Sequence, residues 1–274
     1  MCRTLEVSRS GFYDWLGREE SARAAEDRRL ANLIAGIFAE SRRTYGAPRV
    51  HRELRHRGVR CGRKRVARLM KAAGLRSKVL KRFRVRTTDS NHNFAIAPDL
   101  VGREFAVSAP NLVWVADITY IPTDEGWLYL ASTMDLFSRR IVGWSMSESL
   151  DAEFVLNATR AALHDRRPAP GLIHHSDRGS QYACKRFRDL LRDHGVRSSM
   201  SRTGDCFDNA AKESFFHTLK TELVHGERFE TRAAARAAVF DYIEAFYNPR
   251  RLHSTLGYRS PANFEREHSP AMGA

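Results

Sequence analysis

The stretch His174-His175-Ser176-Asp177-Arg178-Gly179-Ser180-Gln181-Tyr182 decides how this chain is read. Asp177 follows a short apolar strand pattern, Gly171-Leu172-Ile173. A second acid, Glu213, lies in a helical pattern that opens Asp208-Asn209-Ala210-Ala211-Lys212-Glu213, and 35 residues, 178 to 212, separate the two. A third, Asp117, sits within the apolar strand pattern Leu112-Val113-Trp114-Val115-Ala116-Asp117-Ile118-Thr119-Tyr120. Three carboxylates on separate elements suit two hard divalent cations. Mg²⁺ is held by one or two carboxylates plus substrate phosphate oxygens rather than by a closed protein cage. Two such ions ~3.5–4 Å apart clamp the attacking and leaving oxygens of an in-line phosphoryl displacement.

Taken singly, each acid has an ordinary reading. Glu213 alone is a solvated helix residue, and Asp177 caps the helix after it as readily as it binds a metal. Asp117 is the least easily explained, because an unpaired charge within an apolar strand is costly to bury. Asp135, at the end of the next strand, is its rival as a ligand and is set aside because the Trp-x-x-Asp-Ile-Thr-Tyr context falls on Asp117.

The three stretches together, Trp114 to Tyr120, His175 to Tyr182 and Asp208 to Glu213, resemble the DDE core of retroviral integrases and bacterial insertion-sequence transposases. The OrfB-type transposases, the second reading frame of a large insertion-sequence family, are the most similar. Tyr247-Asn-Pro-Arg-Arg-Leu-His253-Ser-Thr-Leu-Gly257-Tyr258-x-Ser260-Pro261 and Ser41-Arg-Arg-Thr-Tyr45-Gly46-Ala-Pro-Arg49-Val also look like that family, so the resemblance covers nearly the whole chain.

The resemblance implies an RNase H-like α/β core, a mixed five-stranded sheet with flanking helices, preceded by an all-α helix-turn-helix domain. It implies a transposase in which Asp117, Asp177 and Glu213 are catalytic and hold two Mg²⁺ (or Mn²⁺) ions per active site. Water would free a 3′-OH at the element end, and that 3′-OH would attack a second phosphodiester. The partners implied are double-stranded DNA (element ends and target), further copies of the chain as a homo-multimer on DNA, and an upstream-frame protein, joined by frameshift fusion or by association. Lys220, seven residues beyond Glu213 and on its helix face ~10 Å along, is a DNA contact by the same resemblance, and Arg250, Arg251 and His253 are candidates in the tail. His175, Arg178, Tyr182, Asn209 and His217 are candidate neighbours of the site, whereas His174 reads as core. The zinc module of retroviral integrases has no counterpart in spacing here, so no zinc is expected. Two other readings stay open: an RNase H-like nuclease that only hydrolyses, and a DNA-binding inhibitor or accessory protein.

The 274 residues carry a formal net charge of +14, unevenly spread. Through residue 90 there are 24 Lys and Arg against 9 Asp and Glu, a net +15; the remainder has 22 against 23, a net −1. A basic N-terminal third points to a polyanion there. The four cysteines form no C-x-x-C pair, and nothing resembles a secretory signal or an apolar span, so a bacterial cytoplasmic, nucleoid-associated protein with no membrane partner is expected.

Residues 1–16 read as a helix end, a Ser-rich turn, and a second short helix capped by Ser8 or Ser10, either the back half of a helix-turn-helix or a helical lead-in. Leu30, Leu33, Ile34, Ile37 and Phe38 mark an amphipathic helix over 22–41. Pro48 opens the next helix, Val59-Arg60-Cys61-Gly62 turns, and Arg63 to Ala73 forms a helix stopped by Gly74. That last helix offers Arg63, Lys64, Arg65, Arg68 and Lys71 to a major groove. The boundaries are 1–75 for this helical region, 76–108 for a basic linker that tracks a DNA backbone, and 109–268 for the catalytic domain. Within the last, strands are predicted over 112–121, 127–136, 140–147, 171–175 and 196–200. Helices are predicted over 151–166 (capped by Asp151 or Ser149), 181–193, 209–224 (capped by Asp208) and 231–246, with a mobile polar loop over 201–207.

Overall fold

The structure, a computed structural model, describes residues 2, 4–78, 96–102, 107–201 and 210–268. The chain divides into two compact units, Met1–Lys78 and Val79–Ala274. Among the described residues no helix is long and apolar enough to cross a membrane.

The first unit is helical: α1 (Arg9–Leu16), α2 (Ala22–Glu40), α3 (Ala47–His56) and α4 (Arg63–Ala72). Ser8 and Ser21 accept the N–H groups of Gly11 and Ala24 and so cap α1 and α2. Pro48 stands in the first turn of α3, and the glycines after α3 and α4, Gly58 and Gly74, both have positive φ. The core joins Leu30, Ile34, Ile37 and Phe38 of α2 to Val50 and Leu54 of α3 and Val66, Leu69 and Met70 of α4. Two of the five cations predicted to face DNA are engaged by acids of α2. Arg65 donates to Asp27 at 2.6 Å and to Glu26 at 2.8 Å, and Arg68 pairs with the other oxygen of Asp27. Asp27 is held below the usual carboxylate range by Arg68 first and Arg65 second. These two arginines tie α4 to α2, Arg68 while remaining exposed, and Arg63, Lys64 and Lys71 are exposed as well.

The second unit is built on a five-stranded sheet of order β3-β2-β1-β4-β5. β1 (Val113–Thr123), β2 (Gly126–Asp135) and β3 (Ile141–Ser147) form an antiparallel meander, and β4 (Ile173–Ser176) and β5 (Arg197–Met200) add in parallel. β1 is long and β4 short: their ladder runs from Val113–Ile173 to Val115–His175. Among the described residues no strand continues that ladder past Ala116, so Asp117 stands where β1 has run beyond β4. The crossover α5 (Ala152–Arg166) is capped by Asp151, which accepts from the N–H groups of Glu153 and Phe154. It packs on β3 at Gly143, where a Cβ would lie 2.2 Å from the Ala158 carbonyl oxygen. Only glycine permits that approach. Trp114, Ala116, Ala131, Phe154, Ala158 and Leu163 share the core on this side.

The predicted helix over 181–193 is two pieces, α6 (Ser180–Ala183) and α7 (Lys185–Asp193), broken at an extended Cys184. Tyr182 and Phe187 are five positions apart and would point about 140° apart on one continuous helix. The break lets both enter one aromatic cluster, with ring centroids 5.4 Å apart. The helix predicted over 209–224 is α8 (Ala210–Glu222), followed by a short 3₁₀ turn. The one predicted over 231–246 is α9 (Arg232–Phe240), which continues as a π-helical run, Asp241–Tyr247. The wider turn buries Tyr242, Ile243, Phe246 and Tyr247 together. The chain ends in α10 (Pro261–His268), whose Glu265 takes hydrogen bonds from Arg140, Arg166 and Ser138.

Inside the predicted linker, residues 96–102 lie on the second unit: Val101 is buried, and the Leu100 N–H donates to the Ser199 hydroxyl at 2.9 Å. The rest of the predicted extended linker, 79–95 and 103–106, lies outside the described residues. So do 202–209, which hold most of the predicted polar loop, the Asp208 cap and Asn209.

Candidate active site

Asp117 stands in mid-β1, where its Oδ1 accepts the N–H of Ile118 at 2.7 Å. Asp177 follows β4, and its Oδ1 accepts the N–H of Gly179 at 3.0 Å. A Cβ at Gly179 would press to 3.1 Å on that same oxygen, so a larger residue there would have to displace the carboxylate by a few tenths of an ångström. The two acids repel one another. Loss of water first, and Asp177 second, push the Asp117 carboxyl up to about 8. The buried phenol of Tyr182 lies beneath both and is raised well above its usual value by burial and by the two charges. Glu213, in the first turn of α8, is exposed and acts on Asp117 most weakly of the groups around it. Among the described residues, no three His, Cys, Asp or Glu side chains stand close enough together to hold a metal. The chemistry of the donors still suits a hard cation. Two mutually repelling carboxylates where β1 runs beyond β4 are relieved by a divalent ion, and Mg²⁺ needs no third protein ligand when phosphate oxygens are present.

The face of α8 continues from Glu213 through exposed His217 to Lys220. The Lys220 ammonium lies 4.4 Å from the centroid of the Tyr120 ring, and Tyr120 packs edge-on against the half-exposed Trp127 at 4.7 Å. Burial lowers the pKa of Lys220 while Asp117 opposes the shift, which places the ammonium in electrostatic reach of the acid. His225, beyond α8, is lowered by burial and then by Lys220 and His217, which favours its neutral ring and places it within electrostatic reach of both. Arg178 donates its Nε–H to the carbonyl of Ser201 at 2.7 Å, at the mouth of the 202–209 segment.

Three expectations change. His175 is fully buried, with Nδ1 2.9 Å from the Ser199 hydroxyl and 4.0 Å from Asp99, so burial removes direct DNA contact and leaves its place as a neighbour of Asp177, two residues on. Arg251 is buried too, in a bidentate pair with Glu222, and is not available as a DNA contact. Its neighbour Arg250 remains exposed. Arg65, half-buried, has its guanidinium engaged by Asp27 and Glu26. Two expectations gain a physical account. His174 is core: it packs edge-on against Phe187 at 5.2 Å, and burial lowers its pKa to about 3. Asp135 has its oxygens engaged by the N–H groups of Asn111, Phe137 and Ser138, so it is a turn anchor.

Sequence reasoning missed Lys212. The residue is completely buried, and its Nζ donates to the Ser132 hydroxyl at 2.6 Å. Burial lowers its pKa to about 7 against the pull of Asp117. A signal was present: Lys212, Phe215, Phe216 and Leu219 follow the 3–4 spacing of a buried helix face, and a lysine fills one of its slots.

Comparison with known proteins bears on the family and the fold. Integrase core domain models match residues 107–206 and 213–268, and an HTH-like domain model matches 25–83. The chain is 47% identical over 268 residues to the uncharacterized 31 kDa protein of insertion element IS600 from Shigella sonnei, covering 98% of each. It is 42% identical over 269 residues to transposase InsF for insertion sequence IS3A of Escherichia coli, covering 97% of this chain and 93% of that one. Its fold is similar to that of a chain in the cryo-EM structure of the simian T-cell lymphotropic virus intasome in complex with PP2A regulatory subunit B56 gamma. The TM-score is 0.50 at 14% identity, over 82% of this chain and 72% of that chain.

Proposed function

The chain belongs to the insertion-sequence transposases with an integrase core domain, and we propose that it cuts the ends of its element and joins them to new DNA at Asp117, Asp177 and Glu213. As a member of that family it is a polynucleotidyl transferase, and mobility of an insertion sequence is its function. The observation that carries the residue assignment is the mutual repulsion of Asp117 and Asp177 where β1 runs beyond β4, with Glu213 of the first turn of α8 acting on Asp117 from further off.

Asp117, Asp177 and Glu213 would hold Mg²⁺ or Mn²⁺, two ions per site, which would activate the attacking oxygen and neutralise charge on the leaving one. In the first step the oxygen of water bonds to phosphorus, and the 3′ oxygen departs with a proton. In the second, that 3′-OH bonds to the phosphorus of a target strand, whose own 3′ oxygen departs. One phosphodiester is broken for each one formed, so joining requires no nucleotide cofactor and no covalent link to the protein. Lys220, and behind it His217 and His225, would meet the backbone next to the reacting phosphate. The α3–α4 pair would bind duplex DNA through Arg63, Lys64 and Lys71, with the phosphates supplying a salt-dependent share of affinity. Exposed Arg250 would add a contact on the catalytic domain. Assembly as a multimer, with or without an upstream-frame protein, would place two DNA segments at one site in turn.

A joining assay with labelled, pre-cut 3′-OH ends and a second duplex tests this. We expect Mg²⁺-dependent joined product, and a marked fall with Lys220→Ala in protein that remains folded. Efficient cutting with no joining would instead establish a hydrolytic nuclease, and DNA binding with neither reaction would establish an accessory protein.

A further inference from the structure

Lys212 is the one completely buried lysine among the described residues, and it lies next in sequence to an acid of the site. Burying an ammonium is expensive unless other groups compensate it. What surrounds it is specific. Its Nζ donates to Ser132 Oγ at 2.6 Å, and it lies 4.7 and 4.9 Å from the ring centroids of Phe215 and Phe216. Ser132 is the residue directly opposite Asp117 in the β1–β2 ladder. Directly opposite residues point to the same face of a sheet, with Cβ atoms ~4.5–5.5 Å apart. The ammonium is therefore held one side chain away from Asp117, and the two groups act on each other electrostatically.

We propose that Lys212 is a positioning residue of the catalytic centre: anchored on Ser132, it fixes the first turn of α8 against the β1–β2 sheet so that Glu213 is held beside the aspartates, and in its protonated form it places a positive charge behind Asp117. The inference rests on the reading of Asp117, Asp177 and Glu213 as metal-holding acids. Two consequences separate it from simple core packing. The anchor sets the angle at which α8 leaves the sheet, and hence the place of Glu213 one residue on. The charge partly neutralises the aspartates before any ion arrives, so it weakens the attraction of the site for divalent cations and limits how tightly they are held.

Mn²⁺ binding to the full chain without DNA, followed by isothermal titration, reads the charge separately from catalysis. Lys212→Met should tighten Mn²⁺ binding by roughly tenfold, the scale of removing one nearby unit charge in a partly wet site, while lowering turnover in the joining assay. Ser132→Ala keeps the charge and removes only the anchor. It should leave Mn²⁺ affinity within about twofold of wild type, since the local charge is unchanged, and should reduce the joining rate at saturating DNA without raising the DNA concentration needed. Unchanged or weaker Mn²⁺ binding in folded Lys212→Met overturns the charge role. If that variant does not fold, a normal joining rate in Ser132→Ala overturns the positioning role. Asp117→Asn is the reference. If it binds Mn²⁺ as wild type does, the acids do not hold the metal and the error lies in the site assignment, not in Lys212.

Discussion

Arg251 and Glu222 meet in a buried two-pronged pair, with Nη2 2.6 Å from Oε1 and Nε 2.8 Å from Oε2, and the side chains only 4% and 6% exposed. Tyr242 donates its hydroxyl to the same Oε2 at 2.8 Å, so the tail, the π-helical run and the end of α8 are locked at one point. Removing one member of such a pair strands the other charge. We expect Arg251→Met to cost about 3–5 kcal/mol of unfolding free energy, measured by denaturant titration, and to leave the salt dependence of DNA binding unchanged. A loss below about 1 kcal/mol, the value of an exposed pair, would mean that the pair is not closed in solution.

Asp117→Asn, Asp177→Asn and Glu213→Gln should each abolish cleavage in Mg²⁺ while leaving DNA affinity equal or slightly higher, because each removes negative charge from a surface that faces phosphate. Gel-shift titration run beside the cleavage assay checks both halves. Near-normal cutting by any one of the three would remove that acid from the ligand set.

The ties of Arg65 and Arg68 to α2 divide the basic residues of α4 into two groups. Arg63→Ala, Lys64→Ala and Lys71→Ala should each flatten the log–log salt slope of duplex binding by ~0.9, the share of one neutralised phosphate. Arg65→Ala should leave that slope in place and lower the melting temperature of the full chain. A flattened slope with an unchanged melting temperature would put Arg65 back in the DNA interface.

His174 makes stability depend on acid. Its folded pKa, about 3, lies below the ordinary 6.5, so the unfolded chain takes up the proton first. The stability contributed by the neutral ring is complete above about pH 6.5 and is lost as pH falls toward 3. Between pH 7 and pH 5 this one group should cost about 2 kcal/mol. His174→Phe, placed beside Phe187, should show a shallower fall in stability over that window than wild type; an equal fall would show that His174 is not the group responsible.

The sheet was legible because its strands are apolar runs separated by clear punctuation, and the order of the three acids along the chain carries the resemblance. What stayed hidden depends on residues distant in sequence. Nothing near Arg251 in the chain announces Glu222, 29 positions away, so a cation in a polar tail reads as exposed. Cys184 breaks a helix with neither Gly nor Pro, because Tyr182 and Phe187 must reach the same cluster. His175 reads as a site neighbour by its place before Asp177, yet strand alternation and Ser199 on β5 turn it inward. Lys212 was visible as a lysine in an apolar slot, but its meaning depends on Ser132, 80 positions earlier, lying opposite Asp117.

The mismatch in length between β1 and β4 also bears on how the protein avoids its own aggregation. An open strand edge offers unpaired backbone groups to any other extended chain, and the reaction centre stands where β1 runs beyond β4. α8 packs against β1, so the helix that carries Glu213 also covers part of the strand that carries Asp117, and its loss would uncover that strand. Chemistry and colloidal behaviour therefore share one element. Damage to the docking of α8 would show first as clumping of the purified protein, and a variant scored as catalytically dead on such a preparation would owe its silence to failed shielding rather than to a missing ligand.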